Sequence, residues 1–489
     1  MKNYAAFTLS FIFIAFLVPP FVLASCNKDS TSNTVLTDEE ISDTEMADVQ
    51  PDATDELRWD EEAVSDADTS ECVSGEWKTE TGVVSQCVKG SWVVRRITHQ
   101  WGTSAALISE SGSSVAVDKN GNIYVSGQTD GAFDGNVSPK NGQDAFLSKW
   151  NKDWKTREWT EQWGAESSAQ GNSVVVDGNG NIYVAGNVYR WDVDREPFLS
   201  KWDSDGTNVW EKQWGTASEN HALSAALDAA GNIYVTGYTL GALDGNVSKG
   251  AYDIFLTKWD AGGTKAWTTQ WGTNDSDMGH SVAVDRDGNI YVTGETHASL
   301  ESANQGYGDI FLTKLKSDGT IIWTRQWGTI DADRGHAVAV DDDGNIYVTG
   351  QVWESLDGND YGGLNDIFLT KWDPDGAKAW TRQWGTNDLD HGNSVTVDKN
   401  GDIYVTGETD SSLDGNASSG STDIFLTKWD SDGTKMWTKQ WGTGTGEVSR
   451  SVAVDGNGNI YLTGWTWGPL DGTVNEGYGD IFLTILPAE

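Results

Sequence analysis

VDDDGNIYVTG, Val340–Gly350, sets three aspartates in front of a glycine, an order of residues shared by calcium loops and tight β-hairpins. The calcium register fails. With Gly344 as the loop glycine, Ala339 falls at the first ligand position and Gly350 where a bidentate carboxylate belongs. The phrase also recurs, as DKNGN, DGNGN, DAAGN, DRDGN, DDDGN, DKNGD and DGNGN, and only the first Asp and the Gly persist, from Asp118 to Asp455 and from Gly121 to Gly458. The copy Asp228–Asn232 carries two alanines in its middle and offers calcium little. A hairpin explains what is kept: Asp caps the turn amides and Gly takes the left-handed conformation. No cofactor is expected, and Asp342 and Asp343 are left as the place for any weak calcium binding.

Two further phrases travel with the turn. QWG occurs seven times, at Trp101, Trp163, Trp214, Trp271, Trp327, Trp384 and Trp441, with the last four steps 56 or 57 residues long. DIFLTKW at Asp423–Trp429 also has seven forms, worn to EPFLSKW at Glu196–Trp202 and to DIFLTIL at Asp480–Leu486. In the sixth unit SVTVD, DIYVTG, DIFLTKWD and KMWTKQWG read as four short strands rich in β-branched and aromatic residues. Four strands repeated seven times predict an all-β, seven-bladed β-propeller. Small residues in SVAV suit an innermost strand, where blades crowd. Tryptophans suit the outer strands, where blades diverge. The seventh unit stops after its third strand, and RRITHQWG, Arg95–Gly102, supplies the missing outer strand from the N-terminal side. That pairing closes the ring and removes an open edge.

The pattern GNIYVTG…DIFLTKWD.DGT..WT.QWGT resembles the seven-bladed β-propeller (SBBP-type) repeats of bacterial surface and secreted proteins, over roughly Val93 to Ala488. The resemblance implies a binding or scaffolding surface and carries over no catalytic residue.

The segment before the repeats has its own character. Lys2 and an apolar run from Ala5 to Ala24 lead into LASC, Leu23–Cys26, which resembles a bacterial lipobox. The resemblance implies a signal peptide over 1–25, lipid on Cys26 and an outer-membrane lipoprotein, periplasmic or cell-surface exposed. Residues 26–71 form an acidic tether: beyond Cys26 they hold sixteen Asp and Glu against two basic residues, too polar to fold alone. Residues 72–92 read as a small Cys-Trp module, with Cys72 and Cys87 heading CVSGEW and CVKGSW. A disulfide between them is expected to contribute roughly 3 kcal/mol. The propeller follows over 93–489.

A net charge of -41 disfavours nucleic acid and anionic membrane surfaces, so membrane contact is expected through the N-terminal lipid alone, on a monomer. Of the 26 tryptophans, eighteen occupy repeat positions and read as interblade packing. Trp191, Trp353, Trp465 and Trp467 stand off the pattern, just after strand two, on what a propeller makes its top face. His280 and His336 precede the inner strands of adjacent blades, with Asp277 and Asp333 nearby, an arrangement suited to a polar ligand or a transition metal. These six Trp and His residues are the candidate ligand-binding set. No G-x-S-x-G, H-E-x-x-H or phosphate-binding glycine loop occurs, so no enzyme activity is expected. Three functions compete: a surface module binding protein or glycan through top loops, a propeller enzyme cleaving polysaccharide as a lyase or hydrolase, and a purely structural surface protein.

Overall fold

The computed structural model describes residues 76–488, without 90, 104–108, 137–141, 165–167 and 190–194, together with Ser74. The expected lipid site Cys26, the tether, Cys72 and Trp191 therefore lie outside the described residues.

The hairpin turn is built as its residues dictate. Asp341 Oδ1 accepts from the amides of Asp343 at 3.0 Å and Asn345 at 2.8 Å. Its Oδ2 accepts from Asn345 Nδ2 at 2.8 Å and from the Tyr347 hydroxyl at 3.0 Å. Gly344 sits at φ 82°, and the glycines of the other six copies also have positive φ. Asp342 is paired with Arg286. The turn thus reverses the chain and also satisfies the hydroxyl of a buried tyrosine in strand two.

Six blades are four-stranded antiparallel sheets with the strands in chain order. Blade four runs Asp277–Val284, Ile290–Thr296, Asp309–Leu315 and Ile321–Trp327. The second and third strands are buried on both faces: Ile290–Thr296 and Asp309–Leu315 contain no exposed residue. They read as continuous apolar runs for that reason. The first strands contact one another around a closed ring, blade seven touching blade one, so strand one is innermost.

Tryptophan holds the blades together on the outside. Trp163 meets Trp202 of the next blade at 4.7 Å between ring centroids, and Trp384 meets Trp429 at 4.9 Å. Burying each such side chain contributes about 1.5–3 kcal/mol.

Blade seven is completed from the N-terminal side. Its strands Glu447–Val454, Ile460–Thr466 and Asp480–Leu486 are joined by Ser91–Trp101. That strand reproduces what strand four does elsewhere. Gln100 Nε2 donates to Asp480 at 2.9 Å, as Gln440 donates to Asp423 at 2.8 Å. Arg96 and Thr98 bind Asp471, as Lys435 and Thr438 bind Asp414. Trp101 packs on Trp150 of blade one at 5.2 Å, the same interblade contact.

The sheet of blade seven does not stop there. A hairpin, β1 (Trp77–Glu80) and β2 (Val83–Val88), pairs onto the outer side of Ser91–Trp101 and makes a six-stranded sheet. Of the residues expected to form a separate Cys-Trp module over 72–92, Trp77–Glu80 and Val83–Val88 thus extend blade seven. The physical reason is the length of the completing strand: Ile97–Trp101 pairs with strand three, while its N-terminal part, Ser91–Ile97, runs on and offers its backbone groups to β2. Cys87 in β2 is buried and disulfide-bonded.

Candidate functional site

Strand direction places the loops between strands two and three, and those entering each new blade, at one end of the ring. Parallel bridges stitch them together there, Gly308 to Ala332 and Thr422 to Gly446 among them. Much of the loop after strand two is itself repeated framework. Leu243, Leu356, Leu413 and Leu470 are buried, and the Asp after each has φ near +50°. These LDG turns are a repeat signal that the sequence reading passed over. Loop length also varies less than expected: residues 190–195 in blade two are the short exception, against 353–365, 410–422 and 467–479 in blades five to seven.

His280 and His336 do not precede the inner strand but lie inside it, each at a β-bulge. The bulge turns the side chain toward the ring axis. Gly279 and Gly335 stand before them because a Cβ there would come within 2.9 Å of Ile254 and Ile310 of the preceding blade. The two rings lie 6.0 Å apart. Nδ1 of His280 bonds the Gly335 carbonyl at 3.1 Å, and Nδ1 of His336 bonds the Gly392 carbonyl at 3.2 Å, so each Nδ1 donates. Burial lowers both imidazoles below their ordinary range, His336 to about 3, where the charges of His280 and His391 also act.

The expected His–Asp pairing is not formed. Asp277 accepts from Thr273 and Thr296, and Asp333 from Thr329 and the amide of Trp353. Both carboxylates hold the loop that enters the blade. Among the described residues no group of three His, Cys, Asp or Glu side chains is placed to hold a metal ion.

The groups that do face the histidines come from strand two and the next blade. Glu295 lies 2.7 Å from Arg334 Nε and 3.8 Å from His297 Nε2. Burial pushes this carboxyl up, but the neighbouring His297 imidazole and the charges of His280 and Arg334 outweigh it and hold it at about 2. His297 is raised by the neighbouring Glu295 carboxylate. On blade six His391 bonds Glu408 at 2.8 Å. On blade three His221 stacks on Tyr238 at 4.3 Å, accepts from Arg195 at 2.9 Å and bonds Glu219 at 2.8 Å. Five of the six histidines in the chain therefore gather at this mouth. Sequence reading found two. Of the other three, His221 and His391 sit at equivalent positions of strand one, a register that appears only once the bulge is placed, and His297 is the first residue after strand two.

The aromatic candidates divide. Trp465 lies inside strand two, half-buried, rather than in the loop. Trp353 and Trp467 occupy the same position, first after strand two, in blades five and seven, and are 38% and 44% exposed. Trp467 packs on Trp465 at 4.8 Å and approaches Tyr478 at 6.0 Å. It rests on Gly446 and Gly479, where an added Cβ would stand 3.3 Å from its indole. Glycine backbone under the ring gives a flat shelf. Tyr307, Ile330, Leu364 and Tyr478 add exposed apolar surface at the same end.

This architecture defines a seven-bladed β-propeller whose divergent chemistry is collected at one mouth. The SBBP β-propeller repeat model matches residues 97–134, 158–187, 266–301, 322–353, 379–414 and 437–471, so these six stretches of the propeller are SBBP β-propeller repeats. Regulatory protein FlaEY of Caulobacter vibrioides is 26% identical over 241 residues, 42% of this chain and 25% of that protein. An uncharacterized WD repeat-containing protein of Acanthamoeba polyphaga mimivirus is 24% identical over 406 residues, 67% of this chain and 26% of that protein. The chain thus spans about a quarter of the length of these curated relatives. A gluconolactonase structure from Xanthomonas campestris aligns with 66% of this chain and 90% of its own at 16% identity and a TM-score of 0.34, a similarity that carries nothing about activity.

Proposed function

We propose that the chain is a display module: a lipid-anchored propeller that binds a glycan or protein ligand through the mouth described above. The observation that supports it is the open indole of Trp467 on its glycine shelf, repeated in position by Trp353. Aromatic faces of this kind bury apolar ligand surface at little entropic cost while leaving polar edges wet. The ionised Glu295 and the Arg334, Arg195 and His297 side chains supply directional hydrogen bonds around the axis. In this reading Cys26 carries the lipid, residues 26–71 hold the propeller away from an outer membrane, and Cys72 pairs with Cys87 to pin the tether to blade seven. The protein acts as a monomer and takes no nucleic acid.

The test is a glycan array probed with the purified chain and with a Trp353→Ala/Trp467→Ala double variant. Binding by the parent and its loss in the variant, at unchanged Tm, is the expected outcome. Depolymerisation of a polysaccharide by the parent, abolished by His280→Ala, would replace binding with catalysis.

A further inference from the structure

The QWG glycines mark a second repeated feature, unconnected with ligand binding. At each of five junctions a carboxylate from strand three of one blade and a carboxylate from the start of the next blade crowd the same QWG glycine. Asp253 meets Asp277 beside Gly272, where an added Cβ would stand 2.3 and 2.8 Å from their oxygens. Asp309 meets Asp333 beside Gly328, and Asp366 meets Asp390 beside Gly385, in the same way. Asp423 meets Glu447 beside Gly442, and Asp480 meets Glu110 beside Gly102 across the closure of the ring.

All ten side chains are buried, none more than 1% exposed. The strand-three Asp of every pair has one oxygen with no hydrogen-bond partner, and it is the oxygen nearest the glycine. Asp390 Oδ1 and Glu110 Oε2 also have no hydrogen-bond partner, and neutral donors occupy the other oxygens. Asp253 Oδ2 accepts from Gln270 and the Lys249 amide, and Asp277 from Thr273 and Thr296. Among the described residues no lysine or arginine side chain bonds any of the ten. The other titratable groups acting on them are Tyr361 at Asp366, and Asp130 and Glu476 at the Glu110–Asp480 pair.

Two carboxylates in a dry junction repel if both ionise. One orphan acceptor facing one carboxylate is what a single proton resolves, since O–H then donates across the gap. A hard divalent cation would want six or more oxygens, and each junction offers far fewer that are free. We propose that four of these interblade pairs, all but Asp423–Glu447, each hold one proton in common at mildly acidic pH, so that the ring is closed more tightly by protons than by full ionisation.

Burial displaces these groups in the required direction: Glu110 to about 7, Asp333 and Asp390 to about 6, with Asp277, Asp309 and Asp366 also raised. A raised folded-state value means the native state binds the extra proton. The stabilisation is full below the unfolded carboxyl range and is lost as pH rises from about 4 through about 6 to 7. The two junctions without paired acids serve as internal comparisons. Asp144, whose Oδ1 beside Gly164 is likewise without a partner, has Ala169 at the position of the second acid, and blade three replaces that acid with Asn220, which keeps the bonds from Thr216 and Thr239.

The experiment is thermal unfolding of the chain at about pH 5 and about pH 8, with chelator or with calcium, for the parent, Asp390→Asn and Asp366→Asn. Infrared spectra at about pH 5.5 report protonated carboxyl groups directly, without a variant. Expected are a Tm several degrees higher at the acidic pH and a protonated-carboxyl band. Each Asn variant should raise the Tm at alkaline pH, narrow the difference and weaken the band. A Tm that is flat or higher at alkaline pH, or no such band, overturns the proposal. So does a calcium-dependent rise in Tm that the Asn variants lose, which would put a cation in the gap.

Discussion

The two ends of the propeller are made from the same seven repeats and have opposite characters. At the bottom, the turn between strands one and two is the same object throughout: Asp118, Asp228, Asp285, Asp341 and Asp455 all accept from the same two following amides. At the top, the first residue after strand two changes from Asp130 to Leu240, His297, Trp353, Asp410 and Trp467. Repetition marks the end that sets the fold, where one chain reversal has one good solution. Divergence marks the end free to carry chemistry, because its framework is already held by the buried LDG turn beneath.

The comparison breaks first at the bottom. Gly344→Val puts a β-branched residue at φ 82° with its Cβ 3.2 Å from Pro374, and is expected to cost about 3 kcal/mol, read as a fall in denaturant midpoint. Calcium should not rescue it. A smaller effect is expected at the top from Glu295→Gln. The carboxyl is held at about 2, below its unfolded value, so its contribution is present above about pH 4.3 and lost as pH falls toward about 2. The variant should lose about 1–2 kcal/mol near neutrality and show a shallower acid decline. The smallest loss is expected for Trp467→Ala, below about 1 kcal/mol, because the ring is nearly half exposed. A large loss there would make the shelf framework and remove the contrast between the two ends.

What was legible in the sequence follows from locality. The Asp–Gly turn, the strand periods and the split last unit are short-range or repeated signals, and each appears in the structure where it was read. Trp465 was misplaced because strand two of blade seven runs through Thr466, and nothing local distinguishes a strand-end tryptophan from a loop one. His280 and His336 were singled out, but as strand-start residues. A bulge is a pairing mismatch, visible only with the partner strand in place. Asp277 and Asp333 were linked to those histidines by sequence distance, whereas alternation and the bulge point them into the interblade junction instead.

The repeat count, the four-stranded unit and the need for an N-terminal strand to finish the last blade were determined by the sequence alone, because backbone pairing and apolar periodicity are written residue by residue. Three things were decided only in three dimensions: the extension of blade seven by β1 and β2, the gathering of His221, His297 and His391 beside the expected pair, and the facing carboxylates at the QWG glycines. Each arises between segments far apart in the chain, where closing the ring brings together side chains that no local pattern relates.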